Sequence, residues 1–232
     1  MKMTLIAIGS RGDVQPMLAL SRGLHQHGHD VTLATHEPFR EFVQAQGVNF
    51  TPIAADPQQI MREQGDYWQA SGANPLQMFT RMREIMQPMV YEMSESCYNA
   101  TQGADALIYS TLGFFPGPSI AEKLNIPHMG AYPQPVAPTR TMPSMFAPPL
   151  PSWMPFQRTY NRLTYALTFQ FVDWLFKGMA NRMRRELLNL PDFRRSYRVA
   201  IYDPIPTVYG YSPHVIPPPF DWGDHLHVSG YW

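Results

Sequence analysis

The chain has 232 residues, of which 18 are Lys or Arg and 18 are Asp or Glu, so its formal net charge is zero. That balance argues against nucleic acid as the main partner, because phosphate binding leaves a basic footprint. Hydrophobic residues make up 44% of the chain and charged residues only 16%, which excludes disorder as its general state and allows a sizeable core. The single cysteine, Cys97, excludes an intrachain disulfide framework and a cysteine-based zinc site.

In chain order, Leu5-Ile6-Ala7-Ile8 is a short apolar run that breaks at once into Gly9-Ser10-Arg11-Gly12-Asp13. It is too short for a signal peptide and reads as a strand buried on both faces of a parallel sheet. Pro16, favoured at a first helical position, predicts a helix with Met17, Leu20 and Leu24 on its apolar side, ended by Gly28. Asp30 to Thr35 is the second strand, completing a βαβ unit. The intervening loop matches neither the dinucleotide pattern G-x-G-x-x-G nor a phosphate-binding P-loop. Asp13 would repel a phosphate from this helix start, or serves simply as a helix cap.

A helix around Phe39 to Gln46 precedes a third strand, Val48 to Ile53, and residues 54 to 74 read as a loop. From Pro75, Phe79, Met82, Met86, Met89, Met93 and Cys97 recur every three or four residues, predicting a long amphipathic helix with a kink at Pro88. Its methionine face suits core packing or a pliable wall around a bulky apolar ligand. Strand four is Asp105 to Ser110, a helix runs from about Gly117 to Leu124, and strand five is Ile126 to Tyr132. In open α/β sheets, ligands gather at the carboxyl ends of the strands. Ser10, Asp13, His36, Ser110, Thr111 and Tyr132 are therefore expected to converge on one cleft.

Residues 133 to 156 hold eight of the 24 prolines, interleaved with Met145, Phe146 and Trp153, and read as an ordered extended loop. A helix from about Phe156 to Leu190 follows, with a stripe of Tyr160, Leu163, Leu167, Phe171, Trp174 and Leu175, then basic at Lys177, Arg182, Arg184 and Arg185. It reads either as a core helix or as a helix lying on a membrane surface. The charge-free stretch between Arg162 and Asp173 is too short to span a bilayer. His25, His27 and His29 lack the spacing of a metal site, and none is expected. With no targeting segment apparent, the expected location is cytoplasmic, with peripheral membrane contact as the alternative.

Gly9-Ser10-Arg11-Gly12-Asp13-Val14-Gln15-Pro16, followed by Gly28-His29-Asp30-Val31-Thr32-Leu33-Ala34-Thr35, resembles the N-terminal domain of GT-B glycosyltransferases, in the sterol 3-β-glucosyltransferase and antibiotic branch. Tyr209-Gly210-Tyr211-Ser212-Pro213 and His225 to Trp232 add a second match. The resemblance implies an α/β fold, a Rossmann-like parallel sheet with flanking helices. It implies an acceptor-binding domain over residues 1–220, the start of an interdomain linker over 221–232, and a C-terminal donor-binding domain beyond the chain. The His-Gly-Gly and Asp-Gln motifs of that donor domain do not occur here.

The implied partners are an apolar acceptor such as a sterol and a nucleotide sugar, UDP-glucose, with no metal or other cofactor. Many relatives place a histidine base three residues before the proline of this loop; here that position is Asp13. A carboxylate can take the proton of an attacking hydroxyl, and burial under an apolar acceptor would raise its basicity. The expected acceptor-binding residues are Ser10, His36, Met82, Met86, Ser110, Thr111, Tyr132 and Trp153. A non-catalytic binding module for an apolar small molecule is the alternative.

Overall fold

The computed structural model describes residues 1–54, 75–151, 153–193 and 205–232, with only the backbone described over 75–86. The loop expected over 54–74 lies outside the described residues apart from Ala54. Among the described residues, seven strands form one sheet: β1 (Lys2–Ile6), β2 (Asp30–His36), β3 (Asn49–Ile53), β4 (Ala106–Tyr109), β5 (His128–Tyr132), β6 (Thr207–Tyr209) and β7 (Leu226–Val228). Their order is β3-β2-β1-β4-β5-β6-β7, and every neighbouring pair is parallel. The helices are α1 (Arg11–Gln26), α2 (Arg40–Gln44), α3 (Pro75–Thr101), α4 (Gly117–Leu124) and α5 (Gln157–Glu186).

β1 is central, and its side chains alternate between two cores. Leu5 and Ala7 join Val14, Met17 and Leu18 of α1 and Val43 of α2 on one face. Ile6 and Ile8 meet Met93 and Cys97 of α3, Ile120 of α4 and Met183 of α5 on the other. A strand covered on both faces needs apolar residues at every position, which is the pattern seen before Gly9. The Cys97 thiol lies in this second core, and burial pushes its pKa up.

Three expectations are corrected. First, α1 begins at Arg11, so Pro16 lies inside the helix rather than at its start. Ser10 is the cap: its hydroxyl accepts the Gly12 N–H at 3.2 Å while the Asp13 carboxylate accepts the Ser10 N–H at 2.8 Å. This reciprocal capping starts the helix earlier than proline alone suggests. The carbonyl deprived of a partner by Pro16 belongs to exposed Gly12. Second, β6 and β7 extend the sheet beyond the five strands read from sequence, and β7 falls within 221–232, the segment read as linker.

Third, α5 buries only Leu175 of its expected stripe. Tyr165, Phe169, Leu175 and Met179 face inward, whereas Leu163, Leu167, Phe171 and Trp174 are exposed. The inward face is partly polar because it carries hydrogen bonds to the proline-rich loop. Thr164 Oγ1 accepts the Ser144 N–H at 2.9 Å, and Asn161 Nδ2 donates to the Arg140 carbonyl at 3.0 Å. A loop short of its own backbone pairing needs such partners when it is buried. At Gly28, φ is +82°, and the N–H groups of Gly28 and His29 return to the carbonyls of His25 and Leu24. That is the expected glycine stop for α1.

Candidate active site

A cavity of about 960 Å³ lies on the α3–α5 side of the sheet. It reaches the carboxyl end of β1 at Ile8, of β4 at Thr111 and of β5 at Tyr132. Met89 and Met93 of α3, Phe169 and Phe176 of α5, and Val136 and Phe146 of the loop close it. This wall is overwhelmingly apolar. Its size falls within the roughly 300–1,000 Å³ of small-molecule sites. Asp221 is a charged exception in the lining. Burial disfavours its charge, but the Thr139 hydroxyl at 2.6 Å and the Arg140 N–H at 2.8 Å outweigh that, and its pKa is lowered. The same carboxylate, with burial as the larger cause and Tyr211 as a lesser one, helps push the Tyr165 hydroxyl up to about 12.

Of the residues expected to converge, Thr111 and Tyr132 line the cavity. Thr111 Oγ1 accepts from Gln134 Nε2 at 3.3 Å, tying the β4 exit to the loop over 133–156. The Tyr132 ring folds back over Gly130, where an added Cβ would lie 2.6 Å from its hydroxyl. Gly130 therefore sets the orientation of that wall residue. Trp153 is 79% exposed and does not line the cavity. The side chains of Met82 and Met86 lie outside the described residues, although Met89 and Met93 continue their face into the cavity wall.

Ser10, Asp13, His36 and Ser110 form a separate cluster at the exit of β1. Asp13 Oδ2 accepts from both the backbone N–H and the hydroxyl of Ser10, at 2.8 and 3.0 Å. Gly9 must be glycine: its φ is +129°, and a Cβ there would overlap Asp13 Oδ2. Both donors go to Oδ2, so Oδ1 is the carboxylate oxygen that neither of them uses. The aromatic lining from α5 was missed by the sequence reading. Its signal was present in Tyr165, Phe169 and Phe176, which line the cavity together with Leu167, Phe171 and Leu175 of the expected stripe.

A parallel sheet of this order, with a ligand-sized cavity at its carboxyl edge, is the architecture of one half of a GT-B glycosyltransferase. The calicheamicin glycosyltransferase CalG4 matches 99% of this chain and 52% of its own, with a TM-score of 0.65 and 14% identity. At that identity the likeness is one of fold. The chain belongs to glycosyltransferase family 28, whose N-terminal domain matches residues 3–143. It is 38% identical over 232 residues to the sterol 3-beta-glucosyltransferase of Debaryomyces hansenii, covering 99% of this chain and 14% of that protein. It is 32% identical over 234 residues to UDP-sugar-dependent glycosyltransferase 52 of Dictyostelium discoideum, covering 100% of this chain and 13% of that one. The chain thus spans a small part of those relatives and about half of the solved glycosyltransferase.

No helix among the described residues is long and apolar enough to cross a membrane. Among the described residues, no three His, Cys, Asp or Glu side chains are grouped to hold a metal ion.

Proposed function

We propose that the chain is the acceptor-binding half of an inverting glycosyltransferase. It would present the hydroxyl of an apolar acceptor of the sterol class to UDP-glucose, which a C-terminal donor-binding domain holds. The observation that carries this reading is the apolar cavity reaching the carboxyl ends of β1, β4 and β5. Family membership supports sugar transfer, and the names of the relatives support a UDP-sugar donor and a sterol acceptor.

In this reading Asp13 Oδ1 takes the proton of the acceptor hydroxyl as its oxygen attacks the anomeric carbon. The bond from that carbon to the diphosphate breaks in the same step, with inversion, and UDP leaves. Ser10 fixes the carboxylate through Oδ2, so the remaining oxygen is oriented before substrate arrives. The second reading, a binding module without chemistry, draws on the same cavity and treats Asp13 as a helix cap only.

Transfer separates the two. The complete enzyme, this chain joined to its donor-binding half, should convert cholesterol and UDP-glucose to the steryl glucoside. Val136→Trp, which fills the cavity, should raise the KM for cholesterol about tenfold or more and leave the KM for UDP-glucose nearly unchanged, since lost cavity space removes binding specific to the acceptor. Cholesterol binding without any transfer would favour the binding module.

The exposed stripe on α5 extends this reading. Leu167, Phe171, Met145 and Phe146 are exposed and also line the cavity, so apolar surface runs continuously from outside to inside. With Arg158 and Arg162 at its amino-terminal end, this face is proposed to rest on an anionic lipid surface from which the acceptor enters. Co-sedimentation with phosphatidylserine vesicles should be clear for the chain and largely lost in Leu167→Glu/Trp174→Glu. No co-sedimentation of the unaltered chain removes the membrane contact.

A further inference from the structure

We propose that His36 and Ser110 are positioning residues that clamp the Asp13 loop from both sides, rather than ligand contacts. The inference rests on the reading of Asp13 as the base. As β1 leaves the sheet, its backbone N–H groups lose their ladder partners, and buried N–H groups need replacements. The last regular bond is Ala7 N–H to the Ala34 carbonyl, at 2.9 Å. The next two amides are taken by side chains from the strands flanking β1. Ile8 N–H donates to Ser110 Oγ at 3.2 Å, at the end of β4, and Gly9 N–H donates to His36 Nε2 at 3.3 Å, at the end of β2.

Both side chains are buried, with His36 only 1% exposed, and neither lines the cavity. Through these hydrogen bonds they act on a ligand by way of the backbone they hold. That backbone leads directly into Ser10, which donates twice to Asp13, and Gly9 packs against the same carboxylate oxygen. A neutral imidazole that accepts at Nε2 carries its proton at Nδ1, so the clamp also sets the tautomer of His36. The chain of restraint runs from β2 and β4, through two amides and Ser10, to the carboxylate. Displacing a reacting group by about 1 Å costs roughly 100-fold in rate, which is the scale such a clamp controls.

The test compares His36→Phe, which keeps the bulk but removes the acceptor, with His36→Gln, whose amide oxygen reaches the same point. Ser110→Ala provides a smaller change on the other side. The first readout is hydrogen exchange at the Gly9 and Ile8 amides in the full chain, with the His36 tautomer read from its ring nitrogen shifts. The second is kcat against KM for cholesterol in the complete enzyme. The expected result is an Nδ1–H tautomer in the unaltered chain and faster Gly9 exchange in His36→Phe. In that variant kcat should fall about 100-fold with little change in KM, and His36→Gln should restore most of both. Ser110→Ala should speed Ile8 exchange and lower kcat less.

Unchanged Gly9 exchange in His36→Phe, or faster exchange with an unchanged kcat, overturns the proposal. So does a loss expressed in KM alone, which would make His36 a ligand contact. If the unaltered enzyme glucosylates no sterol, the reading of function fails, and the exchange and tautomer data alone decide whether the clamp exists.

Discussion

Asp13→Asn in the complete enzyme should lower sugar transfer by about 10²–10⁴-fold, the range a positioned general base contributes, while the chain folds and binds cholesterol as before. The choice of Asn matters because Asp13 also serves the start of α1. An amide oxygen can still accept from the Ser10 N–H and hydroxyl, so the cap survives and only the proton acceptor is lost. Asp13→Ala would confound the two, since losing a helix cap costs about 1 kcal/mol by itself. Turnover of Asp13→Asn within a few-fold of the unaltered enzyme would sink the assignment of the base. It would leave Asp13 as the capping residue that the geometry already shows.

The second large effect concerns stability. Arg184 is 4% exposed and sits in the last turn of α5. Its guanidinium donates to both carboxylate oxygens of Glu122 in α4, at 2.6 and 3.0 Å, to Ser119 Oγ at 3.1 Å and to the Pro191 carbonyl at 2.8 Å. It also stacks over the Phe193 ring at 4.2 Å. Removing one member of a buried pair costs about 3–5 kcal/mol because the other charge is left uncompensated. The Glu122 side chain is half exposed, so Glu122→Ala should cost less, about 2–3 kcal/mol. In a chain of this size that lowers Tm by roughly 4–12 °C. The double variant Glu122→Ala/Arg184→Leu should recover at least half of the loss, because an apolar side chain needs no counter-charge. A Glu122→Ala chain that melts with the unaltered one would show that water, not Glu122, satisfies Arg184.

Much of the sheet was legible because strands covered on both faces must be apolar throughout. Leu5 to Ile8, Val31 to Ala34 and Leu107 to Tyr109 have no other reading in so short a run. α4 was legible in position, and in the structure it runs from Gly117 to Leu124 and is closed by Asn125 in the left-handed region at φ 53°. β6 and β7 were not, because three residues each, set among prolines and tyrosines, carry no period. At the site, topology pointed to the ends of β1, β2, β4 and β5, and the cavity reaches those of β1, β4 and β5. It could not say which way the last side chain of a strand turns. Thr111 turns into the cavity, whereas Ser110, one residue earlier, turns to the backbone of β1. His36 likewise serves Gly9. The α5 stripe failed for a different reason: hydrophobicity favours burial, but Asn161 and Thr164 were needed inside to satisfy the proline-rich loop.

The proline content has a consequence at the flanks of the sheet. An exposed outer strand is a template for pairing with another chain, and natural sheets blunt it with short strands or proline. Here β7 is only three residues long and follows Pro217-Pro218-Pro219, while β3 carries Pro52 within its five residues. Neither margin offers a long unbroken ladder to a foreign strand. Growth of the sheet by addition, the route to fibres and swapped dimers, is therefore discouraged on both sides.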